Sequence, residues 1–268
     1  MGGSGVSLWK AAILGTVQGL TEFLPVSSSA HLVLVPWALG WPDPGLTFVL
    51  TVHLGTLLSL LLYFRRDLMH LTRQAVAGAP GGARLLTALA VGTVPGAAAG
   101  YFGKGFFEAL FARPDWVGVF LLGTAVLLGV AERAGRRSRS LEALGAYEAI
   151  WIGVAQAVAI APGISRSGAT IAAGLFLGLT REAAARFSFL LAIPIIFGAG
   201  AHQLLGLRHA SGASVAWGPL FVGFVIASLT GYAAISALLR YLRTRSLTPF
   251  AFYCALVGVL VVAVTWLR

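Results

Sequence analysis

Gln18-Gly19-Leu20-Thr21-Glu22-Phe23-Leu24-Pro25-Val26-Ser27-Ser28-Ser29-Ala30-His31 is the stretch that decides the fold. It sets a carboxylate, a proline, three consecutive serines and a histidine between two apolar runs, Leu8 to Val17 and Leu32 to Leu39. Lys10, Gln18 and Glu22 interrupt the first arm, Pro25 stops it, and a helix restarting near Ser28 reaches about Leu39. Neither arm comfortably reaches the ~20 residues needed to cross hydrocarbon. Two half-length helices joined at a polar turn predict a re-entrant hairpin. Such backbone is tolerated at membrane depth only where protein buries it or it lines a watery cavity. Ionisable groups in that setting mark a functional site by default.

The surrounding chain fits a membrane setting. Its 268 residues are 58% hydrophobic and 10% charged, against roughly 25% charged in soluble domains, and no stretch is polar enough to form a soluble domain. The net charge of +10 is read as loop anchoring to bilayer lipids with anionic headgroups. It argues against nucleic acid as a partner, because the basic residues sit in short loops between spans rather than on one folded face. Cys254, the one cysteine, excludes an intrachain disulfide. Met1 to Gly5 reads as a flexible lead-in, without the basic n-region or cleavage site of a signal peptide.

Beyond the turn Trp41-Pro42-Asp43-Pro44-Gly45, spans are predicted at about 46–64, 85–102 and 116–131. A basic loop at 65–84 and a loop at 103–115 connect them. The most basic linker, Glu132 to Leu144, carries Arg133, Arg136, Arg137 and Arg139. The opening pattern then returns: an apolar run from Tyr147 to Ala161, a break at Pro162-Gly163, the polar run Ile164-Ser165-Arg166-Ser167-Gly168-Ala169-Thr170, and a second arm to about Leu179. Three further spans follow at about 187–207, 215–239 and 248–267. Gly15-x-x-Gln18 matches Gly153-x-x-Gln156, and Val26-Ser27-Ser28-Ser29 matches Ile164-Ser165-Arg166-Ser167, both at an offset of 138 residues.

The predicted fold is therefore an all-α integral membrane protein built as an inverted-topology repeat. Each half is a re-entrant helix hairpin plus three transmembrane helices, giving six full spans. It forms a single membrane domain, with repeat one about 8–131, repeat two about 147–268 and the basic linker 132–146 between them. The loops 65–84, 132–145 and 239–248 hold eleven Lys and Arg, and the opposite loops 41–45, 103–115 and 207–214 hold three. The heavy side is expected to be cytoplasmic. That leaves both termini outside and brings the first hairpin in from the outer side. The tryptophans at 9, 37, 41, 116, 151, 217 and 266 mostly flank spans, as an aromatic belt would.

Each hairpin tip is a helix restart with unpaired N–H groups and a partial positive charge. Ser27 and Ser165 are placed as N-caps, and phosphate is the natural guest at such a site. Arg166 adds a planar guanidinium suited to two phosphate oxygens, so the two tips together suit a ligand with more than one phosphate. Glu22 either shares a cation with those phosphates or acts as a general base. Ser28 and His31 share a helical face, which offers a hydroxyl nucleophile and an acid–base imidazole. Blander roles are assigned elsewhere. Ser29 and Ser167 satisfy backbone, and His53 and Thr51 are structural. Glu148 is interfacial, and Arg181 and Arg186 are cytoplasmic anchors.

The motif Gln18-x-x-x-Glu22 through His31, paired with Pro162 to Thr170, resembles the undecaprenyl-diphosphate phosphatase family of bacterial inner membranes, also called bacitracin-resistance proteins. The resemblance covers essentially the whole chain. It implies removal of the terminal phosphate of undecaprenyl diphosphate, a polyprenyl diphosphate lipid, to regenerate the carrier for peptidoglycan synthesis. It also implies dependence on a divalent cation, Mg²⁺ or Ca²⁺. Carried over by motif, Glu22 is the essential acid, Ser28 the nucleophile, and His31 an acid–base partner or itself the nucleophile. Arg166 joins Ser165 and Thr170 as phosphate binders, and Gln18, Ser27 and Ser167 line the same phosphate site. The metal falls to Glu22, with Gln18 acting through water. The first acidic position of the motif is often Glu and here is Gln18, which shifts the burden onto Glu22. The position of Ala30 is often Gly. A homodimer is kept open, as is a polyprenyl-phosphate transporter or flippase using the same site. A phosphatidic-acid-type phosphatase is disfavoured, because no second His with a following Asp comes after Ser165-Arg166.

Overall fold

A computed structural model describes residues 6–111, 114–207 and 216–267. The lead-in at 1–5, residues 112–113 of the loop at 103–115, and residues 208–214 of the linker at 207–214 lie outside the described residues. Those described form twelve α-helices and one 3₁₀ turn, with no strand among them. The first hairpin is α1 (Leu8–Phe23) and α2 (Ser28–Leu39). The second is α8 (Ala146–Val158) and α9 (Arg166–Phe176). Six helices are long and apolar enough to cross a membrane: α3 (Leu46–Tyr63), α5 (Pro80–Phe102), α7 (Pro114–Ala134), α10 (Arg181–Leu207), α11 (Trp217–Leu242) and α12 (Thr248–Trp266).

Two stretches expected as loops are helical. Residues 65–84 contain α4 (Arg65–Val76) and the first turn of α5, and 103–115 contains α6 (Lys104–Phe111). The 65–84 segment shows why. Leu68 and the buried Leu71 lie three apart and turn inward, while Arg66 and Arg73 stay exposed. That is one-sided burial at helical spacing, hidden in the sequence by its arginines.

Each broken hairpin packs against a span from the other half of the chain. The first arm α1 lies along α11, the corresponding arm α8 lies along α5, and α7 crosses α12. Glycines permit the approach. A methyl on Gly15 would sit 2.8 Å from the Gly223 carbonyl oxygen, and one on Gly153 would overlap the Gly92 carbonyl. The core between the halves is closed by Phe23, Phe64, Phe187 and Phe189, with Phe23 and Phe189 edge to face at 5.4 Å between centroids.

Ion pairs gather the three basic loops onto one face. Arg186 on α10 reaches Asp67 on α4 at 3.4 Å, and Arg243 at the end of α11 reaches Glu182 at 3.2 Å. Glu132 on α7 pairs with Arg181 and Arg137 and accepts from the Leu247 N–H at 3.0 Å. Arg139 bonds Glu148 at 2.6 Å and holds that carboxyl below the usual carboxylate range. Arg181, Arg186 and Glu148 are therefore members of one ionic layer.

Candidate active site

The two hairpin tips meet. Ser167 at the start of α9 donates to the Leu24 carbonyl of the first turn at 3.1 Å. Both restarts are capped as their sequences require. The Ala30 N–H donates to Ser27 Oγ at 3.4 Å, and the Gly168 N–H donates to Ser165 Oγ at 3.0 Å. Each turn is also held from the far half. Thr124 on α7 donates to the Gly163 carbonyl at 3.0 Å, and the Cys254 thiol on α12 reaches the Pro25 carbonyl at 3.6 Å. Gly163 and Pro25 are 138 residues apart, the offset of the sequence repeat.

Between the tips lies Glu22, only 5% exposed, the penultimate residue of α1. Its Oε1 accepts from Arg166 Nη2 at 2.8 Å across the two halves. Its Oε2 accepts from Ser28 Oγ at 2.5 Å and from Gln18 Nε2 at 2.9 Å. His53 on α3 brings Nε2 to 3.7 Å of the same oxygen, while its Nδ1 donates to the Val49 carbonyl at 2.8 Å. A carboxylate this dry is tolerable only with such partners. Two valences remain open. Gln18 Oε1 and Arg166 Nη1 are buried with no hydrogen-bond partner among the described residues.

Gln18, Glu22, Ser28 and Arg166 thus converge as expected. The other candidates have different duties. The Ser27, Ser165 and Ser167 hydroxyls serve caps and the tip-to-tip contact. Thr170 Oγ1 is buried against the Arg166 carbonyl at 2.8 Å and Ser188 Oγ at 2.6 Å. His31 does not face Ser28 as a proton acceptor. Its Nδ1 donates to the Ser27 carbonyl at 2.7 Å and its Nε2 meets Tyr253 Oη at 2.6 Å, so the hydroxyl proton of Ser28 is directed to Glu22 instead. Sequence reasoning read His53 as structural and passed over Tyr253 and Thr124. His53 carried one signal, an imidazole inside an otherwise apolar span. Nothing in the α12 or α7 runs singles out the other two.

The fold and this cluster define a class: a polytopic membrane protein in which two broken-helix tips from opposite halves enclose a buried carboxylate, a hydroxyl and a guanidinium. The chain belongs to the family described as "Bacitracin resistance protein BacA", which matches residues 11–260. Similar proteins bear the name undecaprenyl-diphosphatase. One from Geobacter metallireducens is 45% identical over 257 residues, covering 92% of this chain and 94% of that one. Another from Geobacter sulfurreducens is 42% identical over 98% of this chain and all of its own length. A third from Moorella thermoacetica is 43% identical over the same shares.

Proposed function

We propose that this protein hydrolyses the terminal phosphoanhydride of undecaprenyl diphosphate, releasing inorganic phosphate and the monophosphate carrier lipid. The observation that carries the reading is the Ser28–Glu22–Arg166 cluster, in which a hydroxyl already donates its proton to a carboxylate beside a guanidinium with a free donor. Glu22 takes the Ser28 proton as Oγ attacks the terminal phosphorus. The Ser28 O–P bond forms as the bridging P–O bond breaks, and undecaprenyl phosphate leaves. Glu22 passes the Ser28 proton to the departing undecaprenyl phosphate. Water then attacks the phosphoserine, its proton passing through Glu22 to Ser28 Oγ as the Ser28 O–P bond breaks, and inorganic phosphate departs. Arg166 binds equatorial oxygens through Nη1 and exchanges part of its bond to Glu22 for substrate, so charge is neutralised where it develops.

A divalent cation, Mg²⁺ or Ca²⁺, fits beside this cluster. Glu22 supplies one carboxylate and Gln18 Oε1 an unpaired amide oxygen, leaving the remaining positions to water and phosphate. When bound, the ion supplies neutralisation of the diphosphate charge. With one carboxylate and one amide oxygen from the protein, substrate phosphate is a co-ligand in this reading.

The two halves are read as inverted copies in the bacterial inner membrane, with the basic face cytoplasmic and the site open to the outer side. Three features support this: exchanged packing of α1 and α8, equivalent carbonyls gripped at Pro25 and Gly163, and basic loops on one face. Phosphate release from undecaprenyl diphosphate by purified protein tests the chemistry. Ser28→Ala and Glu22→Gln should each abolish it, and hydrolysis at the wild-type rate in both variants would refute the assignment. For orientation, an impermeant thiol reagent added outside should label a cysteine placed at Asp43 and spare one at Arg137. The reverse pattern would invert the topology.

A further inference from the structure

The residue before the nucleophile has an unusual backbone. Ser27 adopts φ +70° and ψ +94°, and it is one of two non-glycine residues with positive φ among those described. Its counterpart in the other half, Ser165, is ordinary extended backbone at φ −68° and ψ +119°. The strain is therefore no requirement of the capped restart itself, since both serines cap their helices. It belongs to the half that carries Ser28, and such strain persists only where surrounding groups over-determine it.

What over-determines it is visible. The Ser27 carbonyl accepts twice from His31, from its backbone N–H at 3.3 Å and from its ring Nδ1–H at 2.7 Å. A carbonyl only accepts, so the Nδ1 proton is fixed there, and Nε2 of the neutral ring is the acceptor. Tyr253 on α12 fills that acceptor with its hydroxyl at 2.6 Å and stacks its ring on the imidazole, 5.7 Å between centroids and 11° between planes. In the other half the position matching His31 is Ala169, whose backbone N–H bonds the Ser165 carbonyl at 2.7 Å with no side chain to add a second donor. Strain and clamp occur together, and both are missing from the half that holds phosphate.

We propose that Tyr253 is a positioning residue for the phosphatase reaction. It fills Nε2 of the tautomer that the Ser27 carbonyl fixes and so pins the ring, His31 holds the strained Ser27 carbonyl, and Ser27 thereby aims Ser28 at Glu22. Tyr253 acts at a distance from the transferred phosphate, through two intervening residues. Tyr253 is 39% exposed, whereas the imidazole it stacks on is only 8% exposed. The inference rests on the phosphatase reading above.

The test is a double-mutant cycle with an independent spectroscopic arm. Tyr253→Phe keeps the ring stack and removes the hydroxyl, and should lower kcat about tenfold with KM within about twofold. Glycine adopts positive φ without strain and costs little at an N-cap. In a Ser27→Gly background, whatever that change costs by itself, Tyr253→Phe should therefore alter kcat less than about twofold. Nitrogen-15 spectra of the imidazoles should show His31 as the Nδ1–H tautomer with a hydrogen-bonded Nε2 in the wild type and a downfield-shifted, unbonded Nε2 in Tyr253→Phe, a readout that needs no turnover. Wild-type kcat in Tyr253→Phe overturns the proposal, as does an equal penalty in both backgrounds, which would mean direct contact with substrate. An unchanged His31 Nε2 shift overturns it too. Failure of the wild type to release phosphate refutes the phosphatase reading instead, and the Nε2 shift still judges the clamp.

Discussion

Replacing Arg166 with alanine asks how much of the protein's stability hangs on one buried pair. Glu22 is 5% exposed and its Oε1 has Arg166 as its single bonded partner. Breaking a buried pair by removing one member costs about 3–5 kcal/mol, because the surviving charge is left uncompensated. Here Ser28 and Gln18 still donate to Oε2 at 2.5 and 2.9 Å, and hydrogen bonds to a charged group are worth roughly 1.5–3 kcal/mol each. The loss should therefore sit at or below the low end, about 2–3 kcal/mol. For a chain of this size that lowers the melting temperature by about 5–10 °C. The sharper part concerns the second substitution. Glu22→Gln removes the stranded charge, so Glu22→Gln with Arg166→Ala should recover more than half of the loss while remaining inactive. The assay is thermal unfolding of purified protein in one detergent, followed by intrinsic fluorescence from the tryptophans. A melting temperature for Arg166→Ala within about 1 °C of wild type would refute the reasoning. So would a double variant no more stable than the single one.

Gly153→Leu drives a side chain into the Gly92 carbonyl and should destabilise by about 1–3 kcal/mol, visible as a lower melting temperature; an unchanged one would mean the helices part freely. Gln18→Glu places a second carboxylate where an amide now donates to Glu22 at 2.9 Å. That variant should melt lower than wild type in chelator and gain more from added Ca²⁺ or Mg²⁺, and equal gains in both proteins would count against the proposed cation position. Glu148, its carboxyl held low by Arg139 at 2.6 Å, stabilises the fold above the unfolded value near ~4.3 and loses that contribution as pH falls through the lower folded value. Thermal scans between about pH 6 and pH 3 should show a shallower acid loss for Arg139→Gln than for wild type, and parallel curves would exclude the pair as a contributor.

Much of the architecture was legible because membrane folding writes it in long apolar runs. The six spans and the two breaks at Pro25 and Pro162-Gly163 needed only hydrophobicity and helix punctuation. The α4 helix was not legible, because its arginines mask a two-leucine inner face. At the site, Glu22, Ser28 and Arg166 could be singled out since charge and hydroxyls are scarce in such sequence. Their partners could not. Whether His53 turns toward Glu22 depends on the rotation of α3, and whether Tyr253 meets His31 depends on how α12 crosses the first hairpin. Neither is a local property. The expected pairing of Ser28 with His31 went astray for a related reason. Helical spacing put them on one face, but the carbonyl of Ser27, turned by its positive φ, claimed the imidazole first.

The exchange of α1 and α8 between halves also sets a timetable. The arm that carries Glu22 leaves the ribosome first, yet its bed, α11, is made about two hundred residues later, and synthesis runs at roughly 5–20 residues per second. For some tens of seconds a polar, proline-broken segment must be kept from lipid without its native neighbour, and the second hairpin meets α5 almost at once. The half that carries Glu22 is thus born first and finished last. Such long-range dependence slows folding and makes either half alone an incomplete protein. Expressed as two separate chains broken in the linker, the halves should need each other to accumulate at all.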